Sequence, residues 1–194
     1  WIRLPDQEFR GWLKGFRDDP EENKLNTPSG KIEIFSEVIA SFKYVDCPGH
    51  PYWIEPFEWL GSKNSKYGLH LLTPQPSGKL HSQLDQTEFL QKDKKDGKEI
   101  ILVHPEAAKL RGLGDGDIVR VYNDRGSCLA SVCLEEGILS AVVILPTGSW
   151  FSQFGQETIE QNGNPNVLTR DKGTSSLAQG PSPNTCLVEL EKAH

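Results

Sequence analysis

Two polar, Pro/Gly-rich loops directly flanked by expected core strands stand out in this chain of 194 residues as carriers of chemistry. The first is Thr73-Pro74-Gln75-Pro76-Ser77-Gly78-Lys79-Leu80-His81-Ser82-Gln83. Its hydroxyls and amides offer neutral hydrogen bonds, and Lys79 and His81 can face phosphate. The second runs Gly163-Asn164-Pro165-Asn166-Val167-Leu168-Thr169-Arg170-Asp171 and continues through Thr174, Ser175 and Gln179. Asparagine presents donor and acceptor edges together, which is what recognition of a heterocyclic amide requires. On composition alone each loop also reads as an ordinary solvated turn. No Gly-x-Ser-x-Gly elbow, His-Glu-x-x-His, Gly-Lys-Ser/Thr phosphate loop or Gly-x-Gly-x-x-Gly occurs. Cys47, Cys128, Cys133 and Cys186 make no Cys-x-x-Cys pair. Cys128 and Cys133 sit at opposite parity on one expected strand, so they cannot share a metal ion and read as small buried apolar groups.

Loops of this kind work when a rigid scaffold holds them. Apolar residues make up 36% of the chain and charged residues 25%, enough for a real core. With 18 Gly and 13 Pro, short elements joined by turns are expected rather than a helical bundle. The net charge of −6, without a basic tract, argues against a nucleic-acid binder. No apolar run approaches the roughly 20 residues of a membrane span. The chain opens at Trp1 and contains no methionine, which is expected of a piece of something longer.

The opening Trp1–Arg17 reads as amphipathic, with Phe9, Trp12, Leu13 and Phe16 at helical spacing. Lys31–Phe35 reads as a strand, and Ser36 as the cap of a short helix from Glu37 to Phe42. Further strands are expected near Leu69–Leu72, Ile100–Val103, Ile118–Tyr122, Cys128–Leu134, Ile138–Leu145 and Thr185–Leu190. Pro105 to Arg111 reads as a helix stopped by Gly112, and Lys92 to Gly97 as a charged surface loop. Asn123-Asp124-Arg125-Gly126 reads as a four-residue hairpin loop. Strands this short need closure or a second layer, so the fold expected is β-rich α+β, a barrel or sandwich with peripheral helices.

Ordered motifs along the chain resemble a known family. Thr27-Pro28-Ser29-Gly30-Lys31-Ile32-Glu33-Ile34-Phe35-Ser36-Glu37 is similar to a late segment of molybdopterin-dependent oxidoreductases. Asp46-Cys47-Pro48-Gly49-His50-Pro51, Glu58-Trp59-Leu60-Gly61 and Leu80-His81-Ser82-Gln83 narrow it. So do Gly116 to Gly126 and Gly163 to Thr169. Together they resemble the C-terminal region of the dimethyl sulfoxide / trimethylamine N-oxide / biotin sulfoxide reductase group. The resemblance implies a six-stranded double-psi β-barrel over residues 61–194. Residues 1–60 would be an extension belonging to the preceding part of a larger enzyme. It implies a domain holding bis(molybdopterin guanine dinucleotide) with molybdenum, shared with domains absent from this chain. It also implies S-oxide or N-oxide reduction by oxygen-atom transfer.

The cofactor-binding residues it implies are Thr73, Gln75, Pro76, Lys79, His81, Ser82, Gln83, Asn164, Asn166 and Gln179. Lys79 replaces the arginine expected there and loses its bidentate fork. Gln75 stands where relatives often show histidine. In this group a serine from an earlier domain ligates the metal, so no residue here is assigned as catalytic or as a metal ligand. Trp150 resembles a family Gly-x-Trp but reads as a core aromatic. Partners implied are the remaining domains of the parent and a small S-oxide or N-oxide, with no nucleic acid and no direct membrane insertion. The compartment expected is periplasmic, with cytoplasmic the alternative. A free-standing barrel module without redox activity remains the rival reading. If Lys79 meets phosphate, Lys79→Glu should weaken cofactor retention and leave the barrel's stability nearly unchanged.

Overall fold

Six short strands close into a barrel in the computed structural model, which describes residues 11, 13–62, 65–153 and 158–193. They are β1 (Leu69–Leu72), β2 (Ile100–Val103), β3 (Ile118–Tyr122), β4 (Ser127–Leu134), β5 (Val142–Ile144) and β6 (Cys186–Lys192). Their order around the barrel is β1-β5-β2-β4-β3-β6, with β6 returning to β1. Two neighbouring pairs, β1 with β5 and β2 with β4, are parallel, and the other four are antiparallel. Period-2 alternation sends Leu69, Leu71, Ile101, Val103, Val119, Val121, Val143 and Val188 into the interior, all essentially without exposure. Leu145, Leu168 and Leu190 complete that core. This is the closed six-stranded barrel that the pattern and the resemblance led us to expect.

Four short helices accompany it: α1 (Lys14–Asp18), α2 (Glu37–Ser41), α3 (Glu88–Gln91) and α4 (Pro105–Leu110). Helix α4 forms as expected, with Pro105 in its first turn and Gly112 at φ +65 after its end. In α2 the Ser36 Oγ accepts a hydrogen bond from the Ile39 amide at 3.3 Å, the expected cap. Helix α3 was not expected, because its four residues lie in a segment too polar and short to show a period. Strand β5 is shorter than the apolar run Ile138–Leu145, since only Val142–Ile144 pairs with β1 and only Val143 and Ile144 also pair with β2.

The chain divides into two compact units, residues 1–54 with 175–177, and residues 55–174 with 178–194. The division precedes the boundary read at residue 60, because Glu58 is bonded to the barrel. Its carboxylate accepts from Arg125 at 2.5 Å and from the Leu187 amide at 3.0 Å. In the first unit no large apolar side chain is buried among the described residues. The strand expected at Lys31–Phe35 does not form. Ile34 is 81% exposed and no ladder partner flanks the segment, so alternation alone could not make a strand. Of the opening amphipathic pattern, Phe9 and Trp12 lie outside the described residues.

Candidate functional site

Two adjoining clefts of about 500 and 640 Å³ open on the barrel unit, and both are walled by His81, Thr147 and Asn166. The first adds Ser82, Asn164 and the run Gly148-Ser149-Trp150-Phe151. The second adds Thr73, Gln75, Thr169, Arg170 and Asp171, with Pro181 to Pro183 beyond them. Two loops about ninety residues apart therefore meet on one rim.

Their convergence follows from local bonding. β1 ends just before Thr73, whose amide donates to the Asn184 side-chain oxygen at 2.9 Å. Gln75 Nε2 then donates to the Lys79 carbonyl at 2.9 Å and closes the first loop. His81 adopts a left-handed φ of 53°, and its carbonyl packs against Gly148. Gly148 has φ +103, and a Cβ there would collide with that carbonyl oxygen, so only glycine lets the two walls approach. Trp150 Nε1 donates to the Ser82 carbonyl at 2.6 Å across the same seam. Trp150 is half exposed on the cleft wall, which corrects its reading as a core aromatic.

The second loop hangs on a buried carboxylate. Glu160, 1% exposed, accepts from the amides of Ser152 at 3.1 Å, Asn162 at 2.8 Å and Asn164 at 2.7 Å. Asn164 starts a 3-10 turn, Pro165–Val167, and its side-chain oxygen accepts from the Asn166 amide at 3.0 Å. Its Nδ2 donates to the Ser149 carbonyl at 2.9 Å. The far end is fixed at the Leu168 carbonyl, which accepts from Asn123 Nδ2 at 2.9 Å and Arg125 Nε at 2.6 Å. Asn164 thus spends its amide on the walls, whereas Asn166 is exposed on the rim. The Arg170 guanidinium stacks 3.9 Å above the Phe57 ring beside the second cleft.

Lys79 does not face the clefts. Its side chain is 5% exposed, and its ammonium lies 3.0 Å from Asp85 and 2.6 Å from Glu99. Lys94, 2% exposed, also pairs with Asp85 at 2.9 Å, so Lys94 is not the solvated loop residue expected. Burial alone would lower the Lys79 pKa, but the hydrogen bonds to Glu99 and Asp85 outweigh it and raise it. For Asp85, burial pushes the pKa up, and the Trp150 amide with Lys94 and Lys79 pulls it below the usual value. Burial pushes the Cys128 thiol up, in keeping with its reading as a small apolar group.

Of the residues implied by the resemblance, Thr73, Gln75, His81, Ser82, Asn164 and Asn166 come together here. Pro76, Gln83 and Gln179 are not among the lining side chains, and Gln179 packs against Gly173 instead. Sequence reasoning missed Thr147 and Phe151 as walls, and Asp85, Glu99 and Glu160 as their supports. Acidic residues in polar loops carry no sign of burial in sequence. Among the described residues, no three His, Cys, Asp or Glu side chains converge to hold a metal ion.

Residues 69–187, the span from β1 to β6 that contains both loops, match the molydopterin dinucleotide binding domain. The chain is 49% identical over 181 residues to a trimethylamine-N-oxide reductase of Haemophilus influenzae, covering 91% of this chain and 22% of that protein. It is 46% identical over 187 residues to a biotin sulfoxide reductase of Cereibacter sphaeroides, covering 96% and 25% respectively. It spans about a quarter of the length of these curated relatives. Among solved structures, acetylene hydratase from Pelobacter acetylenicus superposes with a TM-score of 0.71 at 24% identity, over 90% of this chain and 25% of that one. That likeness concerns the fold alone. Because the matched span includes the first five strands, the start of β6 and both cleft-forming loops, this chain belongs to the molydopterin dinucleotide binding domain family.

Proposed function

We propose that this chain is the part of a molybdenum oxidoreductase that holds bis(molybdopterin guanine dinucleotide), and that the parent enzyme reduces S-oxides or N-oxides. The observation that carries this reading is the meeting of both polar loops on one pair of clefts inside the matched span. Reductases of trimethylamine N-oxide and biotin sulfoxide among the relatives support the substrate class.

The donor set fits a pterin nucleotide. Thr73, Ser82, Thr147 and Asn166 supply neutral donors and acceptors for a heterocycle or sugar, and Arg170 brings a cation to the second cleft. Lys79, paired inside the protein, lines neither cleft, so the cation nearest the ligand in this reading is Arg170. When bound, the group would supply oxygen-atom transfer with two electrons and two protons. The chain's own work is to bind, orient and exclude water. The rest of the cage, and the serine ligand, would come from the other domains of the parent.

An exposed rim residue gives the cleanest test. In the full-length enzyme, Asn166→Asp places a carboxylate where phosphate or a carbonyl edge would lie. Its guanine nucleotide content after acid release is expected to fall about tenfold, with unfolding unchanged. The 194-residue chain by itself is expected to show no reduction of either oxide class with reduced viologen. Full nucleotide content in Asn166→Asp, or turnover by the isolated chain, would rule the reading out.

A further inference from the structure

Lys79, Asp85, Lys94 and Glu99 form two cations and two carboxylates sealed behind the first cleft. None of the four lines that cleft. Both carboxylates nevertheless reach its wall. Asp85 Oδ2 accepts from the Trp150 amide at 3.0 Å, and Glu99 Oε2 accepts from the Ser149 hydroxyl at 2.7 Å. Lys79 is the bridging member, because it alone touches both carboxylates, whereas Lys94 reaches Asp85.

We infer that Lys79 is a positioning residue, a buried counter-ion that holds Asp85 and Glu99 together so that they fix the Ser149-Trp150 wall of the cleft. The wall is then set before any ligand arrives. Asn164 Nδ2 holds the Ser149 carbonyl and Asn162 Nδ2 holds the Trp150 carbonyl at 2.9 Å each, so both carbonyls of this pair and the Trp150 amide are occupied. Preorganisation of this kind lowers the ordering cost of binding without adding a contact. A lysine suits the position because one compact ammonium can sit between two carboxylates, where a flat guanidinium would bind one of them bidentately. The inference deepens the proposed function, since the wall it fixes is the wall assigned to the pterin nucleotide.

Charge balance separates this role from direct phosphate contact. Lys79→Met leaves Lys94 on Asp85 and Glu99 without a cation, and the unpaired carboxylate should push off the wall. Lys79→Met combined with Glu99→Gln removes one charge of each sign, and the new amide oxygen can still accept from Ser149. In the full-length enzyme, hydrogen exchange of the Ser149 to Phe151 amides should quicken at least about tenfold in the single variant and return to within about twofold of wild type in the double. Guanine nucleotide content should fall and recover in parallel. Nucleotide lost equally from both variants while exchange recovers in the double would show that the ammonium itself touches the ligand, and would overturn the inference. Unchanged exchange in the single variant, or a double variant that fails to fold, would overturn it as well. The exchange readout does not need the nucleotide, so a wild-type enzyme lacking guanine nucleotide would sink the proposed function while leaving this inference to stand or fall on exchange alone.

Discussion

Lys79→Glu is expected to lower the unfolding free energy by at least about 4 kcal/mol, because it replaces the bridging cation of a buried pair with a third carboxylate. For a chain of this size that is a fall in melting temperature on the order of 10 °C. This reverses the expectation from sequence, in which a solvated Lys79 could change sign at little cost to the barrel. The pH dependence should change too. In the wild type Asp85 has a lowered folded pKa, so its contribution is present above its ordinary value of 3.8 and is lost as pH falls through the folded value. Lys79 has a raised folded pKa, so its contribution is present below 10.5 and is lost only above that. Between those limits neither Asp85 nor Lys79 adds a slope. In the variant, Lys94 is the quartet's remaining cation beside three carboxylates, and one of them must hold a proton to stay buried. Its folded pKa is then raised, so the deficit should shrink as pH is lowered from about 8 to about 5. Denaturant unfolding at several pH values reads this directly. A deficit under about 1 kcal/mol that does not vary with pH would show the quartet to be solvated.

Glu160→Ala should cost a comparable amount, about 3 kcal/mol or more, through the three amides it strands. A buried amide without an acceptor bears its full desolvation penalty, and no water-accessible route replaces a side chain that is 1% exposed. Among the described residues no ion pair accompanies this carboxylate, so the amides are its whole support. The effect should be local before it is global. Exchange at Ser152, Asn162 and Asn164 should lose protection while β1 and β2 keep theirs. Uniform loss across the barrel, or none at all, would contradict the account of how the second loop is hung.

The strands were legible because period-2 burial leaves a mark on sequence. Ile100–Val103 and Ile118–Tyr122 form at the limits read from alternation and flanking turns. Lys31–Phe35 carries the same alternation and forms no strand, because a pattern says which face would be buried and not whether anything is there to bury it. The loops were legible as polar and flanked by core, and their meeting on one rim follows the expectation that both clasp one ligand. Their supports were not legible. Lys79 looks like a solvated lysine until the fold places Asp85 and Glu99 beside it, and Lys94 until the fold places Asp85 beside it, partners more than five positions away in each case. Glu160 likewise reads as a surface acid until backbone amides surround it. Glycine helped less than it should have: Gly148 lies in a quoted motif, yet its reason, the close passage of His81, exists only in three dimensions.

Closure of the barrel has a kinetic side. The last pair to complete the ring joins β1 to β6 through Leu69 with Val188 and Leu71 with Cys186, residues more than a hundred positions apart. β2 and β3 also wait for later partners, but β6 lies much closer in sequence to β3 than to β1. During synthesis β1 leaves the ribosome with neither neighbour, can gain β5 only at Val142–Ile144, and lacks β6 until nearly the whole barrel has emerged. Loop-closure entropy makes such a seam slow to form. An open β1 edge in that interval is a template for pairing with another nascent chain. Leu69 to Leu72 carries only His70 as a polar interruption, so this strand has little of its own to deter such pairing.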